Sequence, residues 1–175
     1  MCSSDLITRI WCLGDMVGYG AHPAECLRVC VQESERCIAG NHDLAAAGRV
    51  PVDAFSPYAR TAIEWTRARL DRNSLDRLAV LEPEDPAEPV ALFHASPRDP
   101  VWEYVITNDQ ARAALADHPA RIIMIGHTHL AGAWRLGEDG RLDGGLVRGE
   151  ETIAIDTGRW LINPGSVGQI GRAHV

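Results

Sequence analysis

Four short apolar runs in this chain each lead into a residue that can hold a metal or move a proton. Residues 10–13 lead to Gly14-Asp15, and residues 37–39 to Gly40-Asn41-His42-Asp43. Val90–Phe93 ends at His94, and Ile122–Ile125 at Gly126-His127-Thr128-His129. Runs this short, bounded by turn residues and interleaved with helical periodicity, read as buried strands of an α/β fold. In such sheets ligands gather beyond the carboxyl ends of the strands. A lone histidine after a strand is ordinarily a satisfied loop residue. Four strand ends behaving alike is a pattern that a structural loop does not need.

The tetrad 40–43 is the most concentrated of these ends. It places an amide oxygen, an imidazole and a carboxylate in a row behind a glycine, which lets the backbone turn without a Cβ. The reading is a buried strand running into a loop. His127 and His129 have the spacing that puts two imidazoles on one side of an extended segment. From there they can bind one metal directly or face two neighbouring ones. Carboxylate, amide and imidazole together suit Mn²⁺, Fe or Zn²⁺ better than a thiolate site suits a soft metal.

The rest of the chain is read around those ends. Pro23 can open a helix over residues 24–33. Residues 36–39 form the next strand. Ser56-Pro57 is an N-cap followed by Pro at the first helical position, and Ala59, Ala62, Ile63, Thr66 and Leu70 share one face. A shorter helix follows Ser74, and residues 82–89 are a loop. Thr107 to Gln110 matches a capping box, opening a helix with Ala111, Ala114, Leu115 and His118 on one side. Residues 131–136, 152–155 and 159–162 read as strands of a second, meander-like sheet.

Composition limits the function classes. The 175 residues, 46% hydrophobic, suffice for one domain with a core. No apolar run reaches the ~18 residues of a membrane span, and no signal-peptide pattern opens the chain. The net charge of −7 disfavours a phosphate-tracking nucleic-acid groove, so a nuclease is a weak reading. Cys2, Cys12, Cys26, Cys30 and Cys37 form no Cys-x-x-Cys pair. They are expected to be reduced, mostly buried thiols of a cytoplasmic protein. No Gly-x-Ser-x-Gly elbow and no His-Glu-x-x-His are present, which argues against a serine hydrolase and a zincin. His22 and His118 are read as structural, and Arg98 either as a surface ion pair or as a contact to a substrate phosphate.

The ordered set Gly14-Asp15, Gly40-Asn41-His42-Asp43, His94 and Gly126-His127-Thr128-His129 resembles the calcineurin-like metallophosphoesterase superfamily. The stretch from Gly14 to Gly20, the stretch from Phe93 to Tyr104, and Asn163-Pro164-Gly165-Ser166-Val167-Gly168 resemble its small YfcE-like bacterial and archaeal phosphodiesterase branch. The likeness runs over residues 7–169. It implies a four-layer α/β/β/α sandwich around two divalent metals, Mn²⁺ first, with Fe or Zn²⁺ as alternatives. By position, Asp15 would bridge both metals. Asn41, His94 and His127 would complete the second metal's ligands, and His129 would bind the first. His42 would stabilise the transition state or protonate the leaving oxygen, with Asp43 orienting its ring. The implied substrate is a small phosphodiester, with a phosphomonoester as the alternative.

The chain departs from that family in lacking the opening Asp-x-His and its strand–helix unit. The expectation is therefore a partial domain, and the second reading is a non-catalytic metal- or phosphate-binding fragment. Cys2 to Leu6 and Gln169 to Val175 can be encoded by stretches that are reverse complements of each other and that resemble a sequencing-library adapter. Residues 1–6 and 170–175 are accordingly expected to be non-native ends.

Overall fold

The computed structural model describes residues 7–148 and 152–168. The expected non-native ends lie outside the described residues. The chain divides into two compact units, with the boundary after Leu81. The architecture is mixed α/β, as the alternation of strand and helix patterns predicts.

The first unit starts from a parallel pair, β1 (Trp11–Cys12) and β2 (Arg36–Cys37), joined by α1 (Pro23–Glu33). A helix is the standard way to return the chain for parallel pairing. The strands are shorter than the apolar runs suggest, because Gly14 turns the chain away after Leu13 at φ 90°. Helix α1 begins one residue earlier than predicted, with Pro23 at its first position. Helix α2 (Asn41–Ala46) follows β2, and then α3 (Pro57–Arg67) and α4 (Arg72–Ala79). Ser56 Oγ accepts from Ala59 N at 3.3 Å, and α3 buries Ile63 and Thr66. Helix α4 starts before Ser74 because Asp71 caps it, accepting from Ser74 N at 2.8 Å.

The core of this unit gathers Met16, Val17, Leu27, Ala46, Leu70 and Leu78, with Cys12, Cys30 and Cys37 packed against it. Contact with Cys30 pulls the Cys12 thiol down. Contact with Cys37 and burial outweigh it and push Cys12 up to about 12. Such a thiol is protonated and unreactive at neutral pH. The four cysteines among the described residues are free thiols, with Cys26 exposed.

The second unit is built on one six-stranded sheet ordered β3-β4-β5-β8-β6-β7. Its strands are β3 (Glu84–Asp85), β4 (Val90–Phe93), β5 (Ile122–Ile125), β6 (Gly132–Leu136), β7 (Leu142–Leu146) and β8 (Arg159–Asn163). Strands β4, β5 and β8 run parallel, while β6 is antiparallel to both β8 and β7. The predicted second meander sheet is thus corrected: its strands join the sheet of β4 and β5. Residues 152–155 are not strand. The strand on the other side of β6 from β8 is Leu142–Leu146, which sequence pattern passes over because Asp-Gly-Gly is poor strand material. Pairing explains it. Gly144 lies opposite Trp134, and a Cβ there would stand 2.1 Å from Ala133 O.

Helix α5 (Asn108–Asp117) opens with the predicted capping box, Thr107 Oγ1 accepting from Gln110 N at 3.3 Å. Its Ala111, Ala114 and Leu115 pack with Phe93, Ile123, Ile125, Trp134 and Leu161. Among the described residues no helix is long and apolar enough to cross a membrane.

Trp134 is fully buried in that core, and its Nε1 donates to Asn108 Oδ1 at 2.9 Å. Trp134→Ala is expected to cost about 3–5 kcal/mol. Asn108→Ala, which strands the indole N–H, is expected to cost about 1–3 kcal/mol. Urea unfolding measures both, and a Trp134→Ala variant as stable as wild type would mean the indole is not the core anchor.

Candidate functional site

In the first unit, two turns approach so closely that neither tolerates a side chain at its glycine. A Cβ on Gly14 would lie 2.3 Å from Gly40 N, and one on Gly40 would lie 2.1 Å from Asp15 Oδ1. The contact holds Asp15 at φ 56°, a left-handed conformation that few non-glycine residues adopt. Sequence pattern places the tetrad in a loop. The structure winds it instead into the first turn of α2, with Gly40 as N-cap and Asn41, His42 and Asp43 all buried.

Hydrogen bonds pass both ways between the two turns. Asp15 Oδ1 accepts from His42 N at 3.0 Å. Asp43 accepts from Val17 N at 3.1 Å, from Met16 N at 3.3 Å, and from Gly40 N at 2.9 Å within its own turn. The carboxylate expected to orient the His42 ring thus has its hydrogen bonds on backbone. Burial, and then the charge of Asp15, push Asp43 up to about 7 against the opposing pull of these N–H groups. A cation held by Asp15 would relieve the second of those causes.

The His42 ring is bracketed by aromatic rings. Tyr19 lies 4.2 Å away, tilted by 31°, and Phe55 meets it edge-on at 5.1 Å. Tyr19 also donates its hydroxyl to Asp15 Oδ2 at 3.3 Å. Sequence reading misses Tyr19 as a site residue, although it stands four positions after Asp15 inside the Gly14 to Gly20 motif.

In the second unit, His94 follows β4 directly and is buried. Its N–H donates to Pro83 O and its carbonyl accepts from Gly126 N, each at 2.8 Å. The turn after β5 is not the extended segment that His-x-His suggests: His127 and His129 have φ of 60° and 59°. Asn163 pins this turn, its Nδ2 donating to Gly126 O at 2.7 Å and to Thr128 Oγ1 at 2.9 Å. Asn163 Oδ1 accepts from Gly165 N at 2.9 Å. The Asn-Pro-Gly-Ser motif therefore shapes the histidine turn, a role that spacing alone does not disclose. The rings of His94 and His127 are 5.1 Å apart, and Tyr104 lies 4.4 Å from His127.

The remaining sequence candidates are structural. Ser96 Oγ donates to the Glu103 carboxylate and accepts from Arg98 N and Asp99 N, both at 3.1 Å. Arg98 pairs with Glu103 at 3.5 Å, as the surface ion-pair reading expects. His22 is exposed beside Glu25, and His118 Nδ1 accepts from Ala120 N.

Divalent metals fit these residues on chemical grounds. The first unit offers the carboxylate of Asp15 and the amide of Asn41, and the second offers His94, His127 and His129. Among the described residues the non-glycine residues with positive φ are Asp15, His127 and His129. All three carry metal-type side chains. Such backbone costs about 1–3 kcal/mol per residue and persists where surrounding structure enforces it, commonly at functional sites.

Residues 2–174 match the calcineurin-like phosphoesterase superfamily domain. An uncharacterised protein of Methanocaldococcus jannaschii, MJ0912, is 33% identical over 169 residues, which are 93% of this chain and 66% of that protein. The crystal structure of a metallophosphoesterase from Sphaerobacter thermophilus superposes with a TM-score of 0.79 at 33% identity, over 93% of this chain and 67% of that one. The hypothetical protein PH1004 from Pyrococcus horikoshii shares the fold, with a TM-score of 0.66 at 15% identity over 93% of this chain and 65% of its own. The chain thus spans about two thirds of the length of the proteins it matches. With the family match running over nearly its whole length, the chain belongs to the calcineurin-like phosphoesterase superfamily.

Proposed function

We propose that this protein is a metal-dependent phosphoesterase that hydrolyses small phosphodiesters, with phosphomonoesters as the alternative. One observation carries the reading: left-handed backbone at non-glycine residues falls on Asp15, His127 and His129, three side chains suited to a divalent cation. Membership of a superfamily that uses divalent metals supports it.

In this reading Asp15, Asn41, His94 and His127 would hold one metal, and Asp15 and His129 would contribute to a second. Divalent metals, Mn²⁺ first and Fe or Zn²⁺ as alternatives, would supply Lewis-acid activation of water and neutralise charge on the phosphoryl oxygens. The chain's own residues do the rest. Asp15 is held by the His42 N–H and the Tyr19 hydroxyl, so its carboxylate is oriented before any ligand arrives. His42 is fixed between Tyr19 and Phe55 and serves as proton donor to the leaving oxygen. Asp43 keeps the two turns together. The net charge of −7 points to small esters rather than polynucleotides.

The reading is tested by hydrolysis of bis(4-nitrophenyl) phosphate against 4-nitrophenyl phosphate with Mn²⁺ supplied. Binding of metal without turnover of either ester would favour a non-catalytic binding module. His42→Ala should keep its metal and lose about 10²–10⁴-fold in kcat. Loss of metal in that variant, by elemental analysis, would make His42 a ligand instead. Asp15→Ala should lose both metal and activity, since it removes the carboxylate that both metals would share in this reading. An Asp15→Ala protein with full metal content and normal turnover would move the shared ligand elsewhere.

A further inference from the structure

A pocket of about 250 Å³ lies beside His42 and has no part in the proposed hydrolytic step. Residues 18–21 line one part of it, and Ala62, Trp65 and Thr66 of α3 line another. It connects to the proposed site through one residue. Tyr19 lines the pocket, lays its ring on His42 at 4.2 Å, and donates its hydroxyl to Asp15. A ligand in the pocket therefore sits one ring away from the group proposed to protonate the leaving oxygen.

The walls define what fits. Tyr19 and Trp65 are large aromatics left 45% and 36% exposed, where a core role would bury them. Trp65 is also held in place: the Arg69 guanidinium lies 3.7 Å from its ring centroid, and Arg69 donates to Trp65 O at 3.5 Å. A guanidinium covers one face of an indole and leaves the other available. A wall fixed in advance loses little freedom on binding. The volume falls below the roughly 300–1,000 Å³ typical of pockets for drug-sized ligands. It exceeds the ~150 Å³ of an engineered cavity that holds benzene. That size admits one ring system.

We propose that this pocket is the subsite for a planar aromatic group on the substrate, so that the preferred phosphoesters carry an aryl or nucleoside substituent next to the scissile phosphate. The inference rests on the reading of Asp15 and His42 as parts of a phosphoester site. Hydrolysis of such an ester adds water across one P–O bond, hydroxide to phosphorus and a proton to the departing oxygen. The ring itself takes no part. Trp65 and Tyr19 act by stacking, which is sequence-tolerant for any π face.

The test compares two probes that share a phosphate and differ in the ring, phenyl phosphate and methyl phosphate. Both are titrated into the Mn²⁺-loaded chain by calorimetry, and both are used as inhibitors of bis(4-nitrophenyl) phosphate hydrolysis. Phenyl phosphate is expected to bind about tenfold tighter, as stacking on a fixed aromatic wall provides. Trp65→Ala, which removes the wall, and Ala62→Leu, which fills the space, should each bring the affinity ratio close to one. Trp65→Phe should keep most of it. Thermal melting shows whether each variant is folded, and the two disruptive variants act in opposite ways on the pocket. Equal affinity of the two probes for the wild type, with hydrolysis intact, overturns the aromatic subsite and leaves the phosphoesterase reading standing. A preference that persists in both Trp65→Ala and Ala62→Leu overturns it as well. Failure of both probes to bind, together with absence of hydrolysis, overturns the phosphoesterase reading and the subsite with it.

Discussion

The first unit depends on an exchange of hydrogen bonds between two carboxylates and the turns facing them. Asp15 accepts from the backbone of the tetrad, and Asp43 of the tetrad accepts from the backbone after Asp15. The exchange is possible because Gly14 and Gly40 carry no Cβ, and the turns therefore approach within backbone contact. Each carboxylate satisfies N–H groups that would otherwise be buried without partners, at about 1–3 kcal/mol each. The same arrangement sets two acids near one another in a dry place, which is why Asp43 is pushed up. Structure and electrostatics of this turn are one problem: the close approach that lets Asp43 accept from Val17 N and Met16 N also sets the Asp15 charge against it.

The second unit reaches a comparable result by another route. Its histidine turn is shaped by Asn163, an amide that donates twice into the turn and accepts once from its own loop. A neutral side chain serves here where a carboxylate serves in the first unit. That choice has a physical consequence, since an amide adds no negative charge beside the imidazoles. His94 is tied to the same turn by its carbonyl, which accepts from Gly126 N. The left-handed φ at His127 and His129 is thus supported by bonds on both sides of the turn.

How much of this was legible follows from where the information lies. Strands β4 and β5 and helix α5 were legible because their signals are local: continuous apolar runs, and a Thr–Gln box at the helix start. The metal-type residues were legible as residue types at strand ends. Strand β7 was not, since Leu-Asp-Gly-Gly-Leu becomes a strand through its pairing with β6. Nor was the membership of β6 and β8 in a single sheet with β4 and β5, because pairing order is a long-range choice. The helical start at Asn41 was hidden for a different reason: its N-cap is a glycine, and the carboxylate that satisfies the cap comes from inside the helix. The roles of Asn163 and Tyr19 depend on partners 35 or more positions away in one case and four in the other. Only the second lies within reach of a local pattern, and there the tyrosine reads equally well as a loop aromatic.

The three left-handed ligand-type residues decide between two accounts of these turns. If they were ordinary loops, glycine or asparagine at positions 15, 127 and 129 would relieve the strain at little cost to folding. Aspartate and histidine there retain the strain. Asp15 does accept two hydrogen bonds, from His42 N and Tyr19, so its side chain has some structural worth. The backbone bonds of the histidine turn run instead through Gly126, Thr128 and Asn163. The residues flanking His127 and His129 thus help to hold the turn. Strain that the surroundings sustain, placed under side chains of metal-binding chemistry, is what a site organised in advance of its ligand would show.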